Sequence, residues 1–284
     1  MSKSLPVLTR QKVIANFPKR PRDSHKGLFG TVTVVGGASG MAGAALLAAR
    51  AALKLGAGCV HVGLLTEHAP AVDLLQPELM LHSAAEVLHR FDPDVCAIGC
   101  GMGSSNTAYK LLYQALKLES ALVLDADALN LLAGHPDLQD DLRSRKGATV
   151  LMPHPGEAAH LLACDTKQIQ ADRVAAVRQL AQRFGCSVVL KGADSLCATR
   201  DGKLSVNNTG NPGMSSPGMG DVLTGMIATF IAQGLDTDQA MLLAVHLHGA
   251  AGDALAEQGI ATGMTATEVT EWARWLLNQW LSKA

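Results

Sequence analysis

The sequence predicts an α/β protein of three layers, in which helices cover both faces of a mainly parallel β-sheet. Short apolar runs alternate along the chain with segments of helical periodicity, which is the pattern of repeated βαβ units. The apolar runs alternate little with polar residues, as strands buried on both faces do. The composition agrees, because 48% of the 284 residues are hydrophobic and 17% are charged, which suits a globular protein with a sizeable core.

The predicted elements follow one another in a regular order. Six apolar runs are predicted as strands, and they cover residues 30–37, 59–65, 95–99, 121–125, 148–152 and 187–191. A hairpin with Asp201 and Gly202 at its turn follows them. Helices are predicted over residues 41–56, 107–118, 157–163, 170–185, 221–233 and 237–257, with a last helix from the capping-box pair Thr265 and Glu268.

The domain organisation follows from what separates these elements. No linker-like stretch divides the chain, and no repeat is visible in the sequence. We therefore expect one domain over residues 26–284, after a loosely held N-terminal segment of residues 1–25.

Composition also argues against several classes of partner. The net charge of −1 implies no broad basic surface, and aromatic residues make up only 4%, so nucleic acid is not an expected ligand. No uncharged apolar stretch approaches the roughly 20 residues of a membrane span. The six cysteines form no C-x-x-C pair, and several lie in strand-like runs, which favours free thiols and a cytoplasmic protein.

The Gly-rich segment at residues 210–221 is the first candidate site. Glycines allow backbone amides to approach a ligand, and a helix N-terminus adds positive charge, so Gly218, Met219 and Gly220 are predicted to form an anion hole. Asp221 at that hole could accept a proton from a hydroxyl group, and the helix dipole should keep it ionised at neutral pH. The alternative is a turn followed by a helix cap.

Other polar or Gly-rich segments follow other predicted strands, where ligands of such sheets bind. His154, between two prolines, suggests a ligand contact, whereas Glu157 could equally be a helix cap. Lys191 could bind phosphate or extend to solvent. The two aspartates after the fourth strand, Asp125 and Asp127, could bind magnesium or cap a helix. The segments GGASGMAG and GCGMG match neither Walker A nor G-x-G-x-x-G, and could form a floor for a flat ligand or only pack closely.

Five segments together resemble the ADP-dependent NAD(P)H-hydrate dehydratases, whose fold is ribokinase-like. They are KGLFGTVTVVGG, VLDADALN, PHPGEAAHLL, VVLKGADS and NPGMSSPGMGDVLTGMIA, within a resemblance that runs from Lys26 to the C-terminus. The resemblance implies a lyase that repairs hydrated NADH and NADPH. The reaction removes water from the S epimer at the expense of ADP, with AMP and phosphate as co-products.

The resemblance also implies roles for individual residues. Asp221 is the implied catalytic base, and Glu157 would help to organise Mg²⁺ and phosphate. The implied substrate contacts are Ala44, Gly103, His154 and Asp221, and the implied ADP-binding residues are Lys191, Gly192, Ala193, Asp194, Ser195 and Gly220. Where many relatives have threonine or another glycine before the anion hole, this chain has Ser215-Ser216-Pro217, which should be tolerated because the amides remain.

The resemblance implies partners as well. We expect a homotetramer that uses Mg²⁺. So few residues precede the first strand that we expect no epimerase domain, and thus a functional partnership with a separate NAD(P)H-hydrate epimerase.

Two alternatives share the same sequence features. A small-molecule kinase of this fold, acting on the hydroxyl group of a vitamin precursor, would need the same anion hole and aspartate. A non-catalytic nucleotide-binding protein would need the anion hole but not Asp221.

Overall fold

Within residues 5–283, which the computed structural model describes, nine strands form one sheet. The strands are β1 (Thr31–Gly36), β2 (Cys59–Leu64), β3 (Met80–Ser83), β4 (Val95–Ile98), β5 (Ala121–Leu124), β6 (Thr149–Leu151), β7 (Ser187–Leu190), β8 (Ser195–Ala198) and β9 (Leu204–Asn207). Their order is β3-β2-β1-β4-β5-β6-β7-β8-β9. The first seven strands pair in parallel, whereas β8 and β9 form an antiparallel hairpin at one edge. The predicted, mainly parallel sheet is confirmed.

Twelve α-helices lie in the same part of the chain. They are α1 (Arg10–Ile14), α2 (Ala42–Lys54), α3 (Ala84–Arg90), α4 (Asn106–Leu116), α5 (Asp127–Gly134), α6 (Pro136–Ser144), α7 (Pro155–Leu162), α8 (Thr166–Ala171), α9 (Arg173–Phe184), α10 (Met219–Ala232), α11 (Thr237–Glu257) and α12 (Ala266–Leu281). In the described residues, none of these helices has the length and apolar character that a membrane crossing requires.

The helices form two layers, one on each face of the sheet, because successive strand side chains point in opposite directions. In β5, Val123 packs into an apolar core with α2, α10, α11 and α12. Leu122 and Leu124 pack into a second core with α4, α5, α6, α7 and α9. The three-layer α/β/α architecture predicted from the sequence is therefore confirmed.

Several local predictions differ from the structure, and no helix was predicted at α1, α3, α5 or α6. Strand β3 was not predicted, since it has four residues at the sheet edge and its burial is only partial. The helix predicted over residues 170–185 begins at Arg173, because the Asp172 side chain accepts a hydrogen bond of 2.9 Å from the amide of Ala175 and caps α9.

The N-terminal segment, which we expected to be loosely held, packs against the domain over residues 6–14. Leu8, Val13 and Ile14 are buried in the core beside α11. The amide of Leu8 donates a 2.9 Å hydrogen bond to the carbonyl oxygen of Val206, so the segment extends the sheet beyond β9. Apolar burial and a strand edge that offers hydrogen bonds hold this segment in place. The domain boundary at residue 26 stays a prediction.

The chain changes direction across the sheet between β1 and β4, which are neighbours although β2 and β3 intervene in sequence. Such a switch point leaves a crevice at the carboxyl ends of the two strands. The loops after β1 and β4 are joined there by hydrogen bonds of 2.9 Å from the amide of Gly37 to Cys100 and 2.7 Å from that of Ala38 to Gly101. The fold therefore places both Gly-rich loops at the expected edge of the sheet.

Candidate active site

Helix α10 begins beside the carboxyl end of β5, and its first residues are rich in glycine. Gly218 precedes the helix with φ 90°, a left-handed conformation that favours glycine. The amides of a first helical turn have no partner inside the helix and carry partial positive charge. The predicted anion hole of Gly218, Met219 and Gly220 is thus a helix N-terminus, where an anion is favoured.

Asp221 lies half-buried in the first turn of α10. Burial raises the pKa of its carboxyl to about 6, although a hydrogen bond from the thiol of Cys100 lowers it. At pH 7 most of this carboxyl is ionised, as expected from the sequence. The shift is nevertheless upward, because burial and the charge of Asp125 outweigh the groups that favour ionisation. A carboxylate whose pKa lies just below the working pH suits a general base.

Lys191 follows β7 and brings a positive charge to the same place. Its ammonium pairs with Asp125 and lies 3.9 Å from Oε2 of Glu157, and its side chain is 19% exposed. Burial lowers the pKa of Lys191, but the charges of Asp125 and Glu157 outweigh burial and raise it overall. Lys191 is therefore protonated and available to a phosphate group.

A cavity of about 570 Å³ lies between the loop after β7 and the loop after β9. Arg173 supports the first loop, since its guanidinium donates hydrogen bonds of 3.2 and 3.3 Å to the carbonyl oxygens of Leu190 and Lys191. The second loop, residues 207–215, forms the opposite wall. All the predicted nucleotide residues line the cavity: Lys191, Gly192, Ala193, Asp194, Ser195 and Gly220.

The predicted substrate residues lie elsewhere. Among the described residues, the lining of the cavity does not include Ala44, Gly103, His154 or Asp221. Ala44 contacts the loop after β4, where a Cβ added to Gly101 would lie 3.0 Å from its methyl group. Gly103 ends that loop and donates a 2.8 Å hydrogen bond to Asp127. Ala44, on α2, and Gly103 thus both lie beside the switch point, and the loop that contains Gly103 also carries Cys100.

His154 and Glu157 form a capping box at the start of α7. The amide of His154 donates to Glu157 Oε2 at 2.7 Å, and Nδ1 of His154 accepts from the amides of Gly156 and Glu157 at 3.0 and 3.3 Å. Sequence reasoning allowed a cap for Glu157 but did not foresee one for His154. Burial raises the pKa of Glu157 to about 7, whereas burial and Lys191 lower the pKa of His154.

The carboxylates beside Lys191 and the N-terminus of α10 could bind a cation together with a phosphate group. Within residues 5–283 no three His, Cys, Asp or Glu side chains are grouped as a metal site. Mg²⁺ usually binds through one or two carboxylates together with water and substrate phosphates, so such a group is not required. Three carboxyl groups and one ammonium lie close enough to influence one another: Asp125, Glu157, Asp221 and Lys191. The acidic groups outnumber the ammonium, so negative charge is in excess beside the anion hole.

Sequence reasoning missed the residues that shape the far wall of the cavity. Asp253 of α11 accepts hydrogen bonds from the amide of Gly210 at 2.8 Å and from the Asn211 side chain at 3.1 Å. His248 of the same helix lines the cavity, and burial lowers its pKa to about 4, so its ring is neutral. The polar residues in HLHGAAGD, on a helix that is otherwise apolar, were the available signal.

Comparison with known proteins identifies relatives over nearly the whole chain. A family model described as NAD(P)H-hydrate dehydratase matches residues 32–274. An ADP-dependent (S)-NAD(P)H-hydrate dehydratase of Neisseria meningitidis is 44% identical over 267 residues, which are 93% of this chain and 90% of the relative. A bifunctional NAD(P)H-hydrate repair enzyme of Coxiella burnetii is 41% identical over 96% of this chain. The chain spans about half the length of that bifunctional relative, 55%.

Solved structures agree with these matches. The structure of an ADP/ATP-dependent NAD(P)H-hydrate dehydratase of Bacillus subtilis, co-crystallised with ATP/Mg²⁺, matches with a TM-score of 0.88 and 29% identity. The match covers 98% of this chain and 100% of that one. The ribokinase-like fold that the resemblance implied is thereby confirmed.

Proposed function

The chain belongs to the NAD(P)H-hydrate dehydratase family and is a hydro-lyase, and from this premise we propose how its residues perform the reaction. ADP binds in the cavity beside Lys191, and the S epimer of hydrated NADH or NADPH binds at the switch point. The products are the restored dinucleotide, AMP and phosphate. The observation that carries the proposal is that Asp221 and the N-terminus of α10 lie where the nucleotide cavity adjoins the switch point.

The hydroxyl group on the hydrated ring is a poor leaving group, and its phosphorylation solves that problem. Asp221 takes the hydroxyl proton while the oxygen attacks the β-phosphorus of ADP, and the bond from that phosphorus to AMP breaks. The amides of Gly218, Met219 and Gly220 steady the transferring group. The C–O bond then breaks, phosphate leaves, and loss of a ring proton restores the double bond.

The cavity beside Lys191 and the switch point bind different molecules, the nucleotide and the hydrated dinucleotide. Lys191, Gly192, Ala193, Asp194, Ser195 and Gly220 hold ADP, and Ala44, Gly103, His154 and Asp221 contact the hydrated dinucleotide. Nδ1 of His154 accepts backbone hydrogen bonds, so the neutral ring carries its proton on Nε2. That proton lies near Glu157, whose Oε1 is 3.4 Å from Nε2, and we propose that His154 donates it to the substrate when the substrate binds.

Mg²⁺ is the cofactor that the charges favour. ADP is a polyanion, and the excess of carboxylates over ammonium groups would repel it unless a cation accompanies it. Glu157 is the carboxylate we assign to organising Mg²⁺ and phosphate, and Mg²⁺ supplies charge neutralisation for the transfer.

The remaining parts of the proposal concern partners. We place the enzyme in the cytoplasm, where its six free cysteines stay reduced. A separate NAD(P)H-hydrate epimerase supplies the S epimer, and the active form is a homotetramer.

The test is to mix the purified protein with hydrated NADH, Mg²⁺ and either ADP or ATP, and to follow the near-ultraviolet absorbance of the reduced nicotinamide. Recovery of absorbance with ADP, incomplete until epimerase is added, is the expected result. Recovery with ATP but not with ADP would overturn the assignment of ADP as the phosphoryl donor. No recovery with either nucleotide would overturn the dehydratase and favour the kinase alternative.

A further inference from the structure

Asp125, at the end of β5, is an acidic residue that the proposed reaction does not use. It is 1% exposed, and both of its oxygens have partners. Oδ1 accepts a hydrogen bond of 2.8 Å from the amide of Ala126 and pairs with the ammonium of Lys191. Oδ2 accepts a 3.0 Å hydrogen bond from the hydroxyl of Thr224, on α10. Asp125 therefore links β5 to a lysine after β7 and to the helix that carries the anion hole.

The backbone around Asp125 is strained. Ala126 has φ 48° and ψ −118°, although it is not a glycine. Such a conformation persists only where surrounding contacts enforce it, and these outliers concentrate at functional sites. Here the strained turn directs the amide of Ala126 back to the carboxylate of Asp125, which fixes the rotamer of that side chain.

The position of Gly220 shows which part of α10 the Asp125–Lys191 pair contacts. A Cβ added to Gly220 would lie 3.3 Å from Oδ2 of Asp125 and 3.3 Å from Nζ of Lys191. The carboxylate and the ammonium thus lie directly against the first turn of α10. The hydroxyl of Thr224 also lies 3.0 Å from the carbonyl oxygen of Gly220, so its single proton is shared between that oxygen and Asp125.

We propose that Asp125 is a positioning residue for the phosphoryl transfer, because it holds the ammonium of Lys191 at the N-terminus of α10. The inference rests on the proposed function for its role in turnover. A lysine side chain is a flexible stem with a point charge, and it contributes to a transition state only where that charge is fixed. Without Asp125, the ammonium would move towards Glu157, whose Oε2 is 3.9 Å away.

The first test is Asp125→Asn, which keeps the shape of the side chain and an acceptor for Thr224 but removes the charge that holds Lys191. We expect kcat to fall about 100-fold. The KM for ADP should change less than about threefold, because the ammonium still lies near the phosphates. A purely structural role would instead lower the amount of folded enzyme and leave kcat per folded molecule unchanged. A kcat within about threefold of wild type in the folded variant would overturn the proposal.

Substitutions of Thr224 provide a second test of the link to Asp125, in case Asp125→Asn does not fold. Thr224→Val should lower kcat about tenfold, and Thr224→Ser, which keeps the hydroxyl group, should restore it. Thr229→Val is the matched control, since Thr229 is a buried threonine on the same helix. Its kcat should equal that of the wild type. Equal loss in Thr224→Val and Thr229→Val, or no rescue by serine, would contradict the role of Thr224 in this link.

A measurement that needs no turnover separates this inference from the proposed function. Limited acetylation with acetic anhydride, read by mass spectrometry, reports how accessible the Lys191 amine is in each variant. It should be modified at least fivefold faster in Asp125→Asn, or in Thr224→Val, than in the wild type. Equal rates would overturn the positioning role even if the wild type is an active dehydratase. Faster labelling with an inactive wild type would support the link and reject only the function.

Discussion

His154 and Glu157 cap helix α7 for each other, through a 2.7 Å hydrogen bond from the amide of His154 and a 3.3 Å hydrogen bond back to its ring. The side chain of Glu157 also lies 3.9 Å from the ammonium of Lys191. The capping role of Glu157 is therefore compatible with the contact to phosphate that we propose for it.

The capping box carries a pH dependence that Glu157→Gln should remove. Burial raises the pKa of Glu157 from 4.5 to about 7, so its contribution to stability is full below pH 4.5 and is lost as the pH rises through 7. Glutamine keeps the capping oxygen without a charge. Relative to wild type, the free energy of unfolding of the variant should rise by about 3 kcal/mol between pH 4.5 and pH 8, measured by urea denaturation.

Glu268→Gln is the matched control for that experiment. Glu268 occupies the same position in the capping box of α12, but hydrogen bonds from Thr265 lower its pKa. Ionised Glu268 therefore stabilises the folded protein above the usual pKa of a glutamate, and this stabilisation is lost as the pH falls through its lowered pKa. Glu268→Gln should be slightly less stable than wild type at neutral pH, and a shift of the same sign in both variants would contradict this account.

Asp221→Asn should abolish turnover and spare nucleotide binding. Asparagine cannot accept the hydroxyl proton, and we expect kcat to fall at least about 1,000-fold. The affinity for AMP, measured by calorimetry, should stay within about threefold of wild type. Surviving turnover would show that Asp221 is not the base.

The dependence of kcat/KM on pH in the wild type should report the ionisation of Asp221. Because a base must be deprotonated and the pKa of Asp221 is about 6, kcat/KM should rise with pH and level off above about pH 7. A profile that is flat between pH 5 and pH 8 would contradict the assignment of Asp221.

Gly220→Ala should separate function from stability. The added methyl group would lie 3.3 Å from Lys191 and Asp125, so binding of ADP should weaken about tenfold. Alanine favours helix more than glycine by about 1 kcal/mol, so the melting temperature should not fall far. Gly134→Ala, in open space on α5, is the control and should leave binding unchanged. A large loss of stability in Gly220→Ala alone would indicate a packing role instead.

Asp253→Asn tests the far wall of the cavity. The change weakens the hydrogen bonds that Asp253 accepts from Gly210 and Asn211, each of which contributes about 1.5–3 kcal/mol when the acceptor is charged. The KM for ADP should rise about tenfold with little change in kcat, since the loop moves but the reacting groups do not. Asp201→Asn, in the exposed hairpin turn, should leave both constants unchanged, and a loss confined to kcat would argue against this role.

The sequence predicted the sheet, its hairpin and most helices because each depends on local periodicity and caps. At the edges of the sheet it missed features that tertiary contacts decide. Strand β3 has only four residues and forms by pairing with β2. Residues 6–14 pack on α11 and on the edge of the sheet, which the polar, Pro-containing sequence of the segment does not indicate.

The sequence by itself determined the helix N-terminus with its glycines, Asp221 and the loop after Lys191. These motifs are contiguous, and parallel strands bring their carboxyl ends to one edge of the sheet. Only the tertiary structure decided which partners these groups have. Lys191 and Asp125 are 66 residues apart, and Thr224 and Asp125 are 99 apart, so no local pattern joins them. Burial then raised the pKa of Asp221 and Glu157, since desolvation depends on every element packed around a carboxyl group rather than on its neighbours in sequence.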